Sequence, residues 1–175
     1  MSDILIGNYS PEEVTIVISA AGASEQITGF ADGTFISATR LVAASEPYIG
    51  SDITGGRVKR RNRSMNVTIT LHQYAASNTF LQALQRADEE DSGNRYVASC
   101  TIKDNSGQTL FFSNQTIIAT TPDVTFSSTT ETRDWTLFMF NTDNQIGGNT
   151  LISDSTVQAI ETLGGEVDAK WRVNA

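Results

Sequence analysis

Polar and apolar residues alternate most regularly between Met65 and His72. Met65, Val67, Ile69 and Leu71 point one way, and Asn66, Thr68, Thr70 and His72 the other. Period two with β-branched residues predicts a strand. The same test marks strands at Glu13 to Ala20, with Val14, Ile16 and Ile18 on one face, and at Phe35 to Val42. It marks Arg95 to Lys103, with Tyr96, Ala98, Cys100 and Ile102 together, then Thr109 to Ser113 and Gln115 to Thr120 as separate strands, and an edge at Val124 to Ser128. Arg133 to Asn141 is apolar on both faces: Trp135, Leu137 and Met139 oppose Phe138 and Phe140. Such a strand is expected to be covered on both sides. Gly29 to Thr34 holds an Asp-Gly pair between apolar runs, a hairpin-type signal.

Two segments have helical period. Phe80, Leu81, Leu84 and Ala87 form one stripe over 77–90, with Ser77 or Asn78 as the expected cap. Ser155 with Gln158 three residues on is a capping-box signature for a short helix over 155–163. Gly164-Gly165 stops it, and residues 166–173 then alternate as an amphipathic strand that must dock on this body or on a neighbour. The pattern predicts a mainly β chain with one or two helices. Residues 1–12 read as a flexible N-terminal arm, 13–149 as one β domain, and 150–175 as a C-terminal extension.

One stretch fits no element. From Ala43 to about Ser64, Glu46, Pro47, Gly50, Ser51, Asp52, Gly55 and Gly56 interrupt any regular pattern. Arg57, Lys59, Arg60, Arg61 and Arg63 follow, five of the chain's twelve basic residues. Loops of this length are functional or disordered. As a hairpin of roughly ten residues a side it reaches roughly 33 Å, far enough to touch another subunit.

Charge sharpens that picture. The 175 residues carry a net charge of −8, and without 57–63 seven bases face twenty acids, a net −13. An acidic body with a basic arm argues against nucleic acid as a tightly held ligand. The basic run has three readings: a solvated loop, nucleic-acid contact, or salt bridges to protein. Asp88, Glu89, Glu90 and Asp91 end the helix 77–90 and oppose its macrodipole. They are either a solvated face or an acidic partner surface for the arm of a neighbour. The start lacks a secretory signal and no apolar run reaches membrane-spanning length. A single cysteine, Cys100, allows no intrachain disulfide and reads as a small core residue.

Candidate chemistry is thin. The only histidine, His72, has no sequence-local acid or thiol to form a nucleophilic set. One His and one Cys cannot supply a structural zinc site. Residues 50–57 share only their glycines with a phosphate loop. No cofactor is expected, and the residues point away from an enzyme. A β-sandwich carbohydrate-binding module stays open as an alternative.

Five motifs, in order, carry a resemblance: Tyr9-Ser10-Pro11-Glu12-Glu13-Val14; Gly29-Phe30-Ala31-Asp32-Gly33-Thr34-Phe35; Ser77-Asn78 with Leu81-Gln82-Ala83-Leu84; Pro122-Asp123 before Thr132-Arg133-Asp134-Trp135; and Gly147-Gly148-Asn149. Over roughly residues 9–149 the chain resembles bacteriophage tail tube proteins. The resemblance implies a β-sandwich or partial barrel with an outer helix and a long stacking hairpin, completed as a β-barrel in a hexameric ring. It implies rings stacked head to tail, with sheath, baseplate and tail terminator proteins as partners, in a virion tail assembled in the host cytoplasm. DNA would pass through a negatively charged lumen without specific binding. On that basis Glu46, Asp52, Arg57, Lys59, Arg60, Arg61 and Arg63 are the expected inter-ring contacts. Asn66, Thr68, Thr70 and His72 are expected to face the channel. A tube from a phage-derived bacteriocin or secretion system fits equally.

Overall fold

The structure, a computed structural model, describes residues 5–174. Residues 1–4 of the expected N-terminal arm lie outside the described residues. The described chain is mainly β with two helices. In order it runs β1 (Val14–Ala20), β2 (Ala23–Ile27), β3 (Ile36–Arg40), β4 (Ser45–Ile49), β5 (Gly55–Lys59), β6 (Met65–His72), α1 (Ser77–Glu90), β7 (Ala98–Asp104), β8 (Leu110–Thr120), β9 (Thr132–Met139), β10 (Asp143–Gln145) and α2 (Asp154–Thr162). One antiparallel sheet has the order β2-β1-β7-β8-β9-β6-β3, with β10 paired to β8. Strands β4 and β5 form a separate ribbon.

The sheet is rolled, because its two ends are joined by a very short link. Strand β2 stops at Ile27, and two residues later the Gly29 carbonyl accepts the His72 N–H at 2.8 Å. Ala31 N–H then donates to the Thr70 carbonyl at 3.0 Å, and Thr70 N–H to the Phe35 carbonyl at 2.9 Å. Residues 29–36 therefore run beside β6 as a forerunner of β3. The Asp32-Gly33 turn is an excursion within that one line and joins no hairpin. Gly29 is at φ +82, and a Cβ there would collide with Ala75.

Inside the roll lies one core. It takes Ile16, Ile18 and Ile27 from one end of the sheet, Val67, Ile69 and Leu71 from the other, and Cys100, Leu137 and Met139 between. Helix α1 closes it with Leu81, fully buried, flanked by Phe80 and Leu84. Each such buried aliphatic side chain contributes about 1.5–3 kcal/mol. Burial pushes the Cys100 thiol up to about 12, so this cysteine is an inert core residue.

Several local expectations change. Neither Ser77 nor Asn78 caps α1. The residue before the helix, Ala76, makes no side-chain cap. Ser77 Oγ instead accepts the Thr28 N–H at 2.9 Å, and Asn78 bonds the His72 carbonyl and the Trp135 indole. Docking to the sheet outcompetes local capping. The two strands expected at 109–120 are one strand, β8, with a bulge after Ser113. Ser113 Oγ accepts the Gln115 N–H and donates to the Phe140 carbonyl, which fills the gap a bulge leaves. Strand β7 starts at Ala98 rather than Arg95, since residues 94–97 turn. Residues 124–128 form no strand. Residues 166–173 form none either. They hold a tight helical turn, Ala169–Trp171, with the Asp168 carboxylate accepting the Lys170 N–H. The capping box of α2 is absent too. Its cap residue is Ser153, whose hydroxyl meets Ser155 and Thr156 instead of a backbone N–H.

Candidate assembly surfaces

The arm is a hairpin. Strands β4 and β5 pair Ser45 with Lys59 through Ile49 with Gly55, so Glu46, Pro47, Gly55 and Gly56 lie in strands where breaks were expected. Gly50 N–H donates to the Thr54 carbonyl and Arg60 N–H to the Ala44 carbonyl, each at 2.9 Å. Alternation between those bonds puts the Pro47–Arg57 pair at a non-hydrogen-bonded position. The missing proline donor therefore costs the ribbon no bond. At the root, Arg40 Nη2 donates to the carbonyls of Asn62 (2.9 Å) and Arg60 (3.4 Å), clamping the hairpin to β3.

At the tip, the Asp52 carboxylate accepts the Thr54 hydroxyl and the Thr54 N–H. The Thr54 hydroxyl is the main cause holding the Asp52 carboxyl below its ordinary value. Ile53 sits at φ +68, a left-handed conformation costing a β-branched residue about 1–2 kcal/mol. It is 86% exposed.

The structure divides the seven expected stacking residues. Glu46 and Arg60 pair with each other at 3.0 Å, and the Glu46 hydrogen bond raises the Arg60 guanidinium above its ordinary value. Asp52 is taken up by its own turn. Arg63 reaches Asp143 only at 3.9 Å. Among the described residues, Arg57, Lys59 and Arg61 form no ion pair, and all three are exposed. Charge alone hid a second feature: Tyr48 (69%), Ile49 (72%) and Val58 (50%) are exposed on the same ribbon as Ile53. Their apolar character stands in the sequence, but the breakers around them concealed that they would be displayed together.

The face of the sheet turned away from the core is the second surface. Asn66, Thr68, Thr70 and His72 lie on it and are half-buried. The register sets Ser37 and Thr39 of β3 on one side of them and Asp134, Thr136 and Phe138 of β9 on the other. Beyond β9 come Leu110, Phe112 and Ile117 of β8, then Ser99, Thr101 and Lys103 of β7 and Thr15, Val17 and Ser19 of β1. Along these six strands hydroxyl side chains flank an apolar stripe on β8 and β9, and the charged side chains are Lys103 and Asp134. The acidic excess of the chain lies elsewhere. Phe138 and the 40% exposed Phe140 touch edge-to-face here at 4.5 Å, so the strand apolar on both sides is uncovered on this one.

The acidic end of α1 is the third. Asp91 is engaged locally, its carboxylate accepting the Gly93 and Arg95 N–H groups. Asp88, Glu89 and Glu90 form no ion pair among the described residues.

In the extension after Asn149, among the described residues, the side-chain and turn hydrogen bonds of 151–174 stay within 150–174. Ile152 and Trp171–Val173 pair, and Arg172 meets Glu161 at 2.8 Å. A clasp attaches the extension. Asn149 Nδ2 donates to Asp104 Oδ2 at 2.8 Å, the Ser106 hydroxyl donates to Asp104 Oδ1 at 2.6 Å, and Asn149 O accepts the Asn8 N–H at 3.0 Å. Burial pulls the Asp104 carboxyl upward, but the bonds from Ser106 and Asn149 outweigh it and hold it below its ordinary 3.8. A carboxylate depressed by folding stabilises above its unfolded value and loses that contribution as pH falls through the folded one. The clasp is therefore expected to open only in strong acid. Asp104→Ala should mimic that opening at neutral pH, with a loss of about 1–2 kcal/mol and faster amide exchange at Asn8 and Ser106. Unchanged exchange at both would exclude the clasp.

The comparisons follow this geometry. The model of the bacteriophage PhiTE tail tube protein family matches residues 6–147. "Structural protein ORF10" of Pseudomonas phage KPP10 is 39% identical over 165 residues, 93% of this chain and 95% of that protein. Coverage of 93% leaves about twelve residues unmatched, so that match extends into the segment after 147. Two solved structures are coarsely similar. A tube-terminating cap of the anti-feeding prophage has a TM-score of 0.49 at 12% identity, over 82% of this chain and 95% of its own. A chain of the PVC extracellular contractile injection system sheath–tube complex has 0.48 at 11%, over 79% and 91%. The sequence matches decide the family: this chain belongs to that of the bacteriophage PhiTE tail tube protein.

Proposed function

We propose that the chain is the subunit of a phage tail tube, a structural role without catalysis. Copies close into six-membered rings, and the rings stack head to tail into the conduit that carries the genome into the host. The observation that carries this beyond family membership is the ribbon β4–β5. Among the described residues it pairs with no other strand, and it displays Tyr48, Ile49, Ile53 and the unpaired cations Arg57 and Lys59. A lone two-stranded ribbon is marginal in water, and a second copy gives it a surface to lie on.

Ring closure has its own support. Strands β2 and β3 end the sheet, and among the described residues no strand pairs with their outer edges. Pairing edges between copies removes that liability. Asn66, Thr68, Thr70 and His72, with their Ser and Thr neighbours, line the lumen. Because Lys103 and Asp134 balance along the strands, that face is close to neutral, where a negative surface was expected from the whole-chain charge. A surface without clustered cations gives DNA phosphates nothing to neutralise them, so the genome slides. Asp88, Glu89 and Glu90 offer an outer surface to a second tail protein such as a sheath. The KPP10 relative is a phage protein, which favours a virion over a bacteriocin or secretion-system tube.

Concentrated purified protein is expected to show rings or tubes by negative-stain electron microscopy. A monomer by size exclusion across the whole concentration series would overturn the assignment and favour a soluble binding module.

A further inference from the structure

The hairpin leaves the sheet at one end of β3, and a groove opens at the other. Arg40, the last residue of β3, clamps the hairpin root. Ile36, the first, lines a cavity of about 330 Å³ together with Tyr9, Val14, Phe35, Ile102 and Phe111. Roughly 13 Å of strand separates the two. Phe35 and Gly33 are shared with an adjoining hollow that includes Glu12 and Asp32. Neither acid forms an ion pair among the described residues. One end of the molecule thus shows an apolar hairpin tip with free cations along its stem, and the other an apolar groove flanked by free acids.

We propose that the hairpin of one copy seats in this groove of the next. Ile53 and Ile49 fill the apolar floor, and Arg57 and Lys59, on the same ribbon face as Ile49, lie against Glu12 and Asp32. The proposal rests on the stacked-tube reading and adds the receiving site to it. Complementary but different surfaces at opposite ends of a strand make a heterologous contact, which propagates as a filament. The acids Asp88–Asp91 are the competing receiver and fit less well. Asp88 lies over Ala98 and Thr116, in the cross-strand row that continues through Met139 and Met65 to Arg40. That row is where the hairpin root sits, so these acids stand on the hairpin's own side. The apolar contact supplies adhesion, and the charges set register and exclude the reverse orientation.

The test joins the two ends covalently. Ile53→Cys and Thr34→Cys are combined in one chain, since exposed Thr34 rims the groove and Cys100 is fully buried. Mild oxidation of assembled protein is expected to give a ladder of covalent multimers, absent from either single variant. Tubes that form without that ladder overturn the docking site while leaving the tube intact. Failure of the unmodified chain to assemble overturns both. Charge reversal is the independent arm. Arg57→Glu with Lys59→Glu is expected to raise the protein concentration needed for assembly about tenfold or more, and Glu12→Lys with Asp32→Lys in the same chain to restore it. Rescue by Asp88→Lys with Glu89→Lys instead would assign the hairpin to the helix end and overturn the groove.

Discussion

A chain in which residues 45–59 are replaced by Asn-Gly is expected to fold normally and build no tubes. The junction is designed by the structure. Arg60 N–H already donates to the Ala44 carbonyl, the bond that closes a two-residue hairpin turn, and Asn-Gly is the pair that turn favours. The Arg40 clamp on the Asn62 carbonyl stays in place. None of the removed side chains is buried, so unfolding in denaturant should shift by only about 0.5 kcal/mol. Assembly should fail outright, because the removed segment holds Tyr48, Ile49 and Ile53 and the free cations Arg57 and Lys59. Retained stability with lost polymerisation separates an assembly element from a folding element. Long tubes from this variant would exclude the hairpin as the inter-ring contact.

The parts readable from sequence were those where one force dominates. Alternation at Met65–His72 had no competitor, and all four apolar positions are buried while the four polar ones face out. The stripe Phe80, Leu81, Leu84, Ala87 likewise fixed which side of α1 packs. Expectations failed where two forces compete over a few residues. Ser77 and Asn78 are good caps, but each has a stronger partner on the sheet. Residues 166–173 alternate as well as β6 does, yet a strand needs an edge to pair with. A parallel bridge between Ile152 and Arg172 is all this one finds, and Asp168 starts a helical turn. The arm was located by its charge, but its glycines and proline read as breaks because pairing in a ribbon depends on register that no local pattern encodes. What the surfaces do in assembly depends on other copies, which lie beyond any single chain's periodicity.

Trp135 is where helix α1 meets the sheet, and its loss is expected to have the largest effect on stability. It is 2% exposed in the core. Its indole N–H donates to Asn78 Oδ1 at 2.9 Å, while Asn78 Nδ2 donates to the His72 carbonyl at 2.8 Å. One amide thus ties the first turn of α1 to both β9 and β6, in place of a conventional cap. Trp135→Ala removes the ring and the bond together, at a cost of about 3–5 kcal/mol. That is a large share of the 5–15 kcal/mol typical of a domain. Trp135→Phe keeps most of the apolar volume and loses the bond. Combined with Asn78→Ala in a double-mutant cycle, it should show a coupling of about 1 kcal/mol. Urea unfolding of the four chains measures it. Additive losses would mean that the indole and the amide act independently, leaving α1 tied by the Asn78–His72 and Ser77–Thr28 bonds and the packing of Leu81.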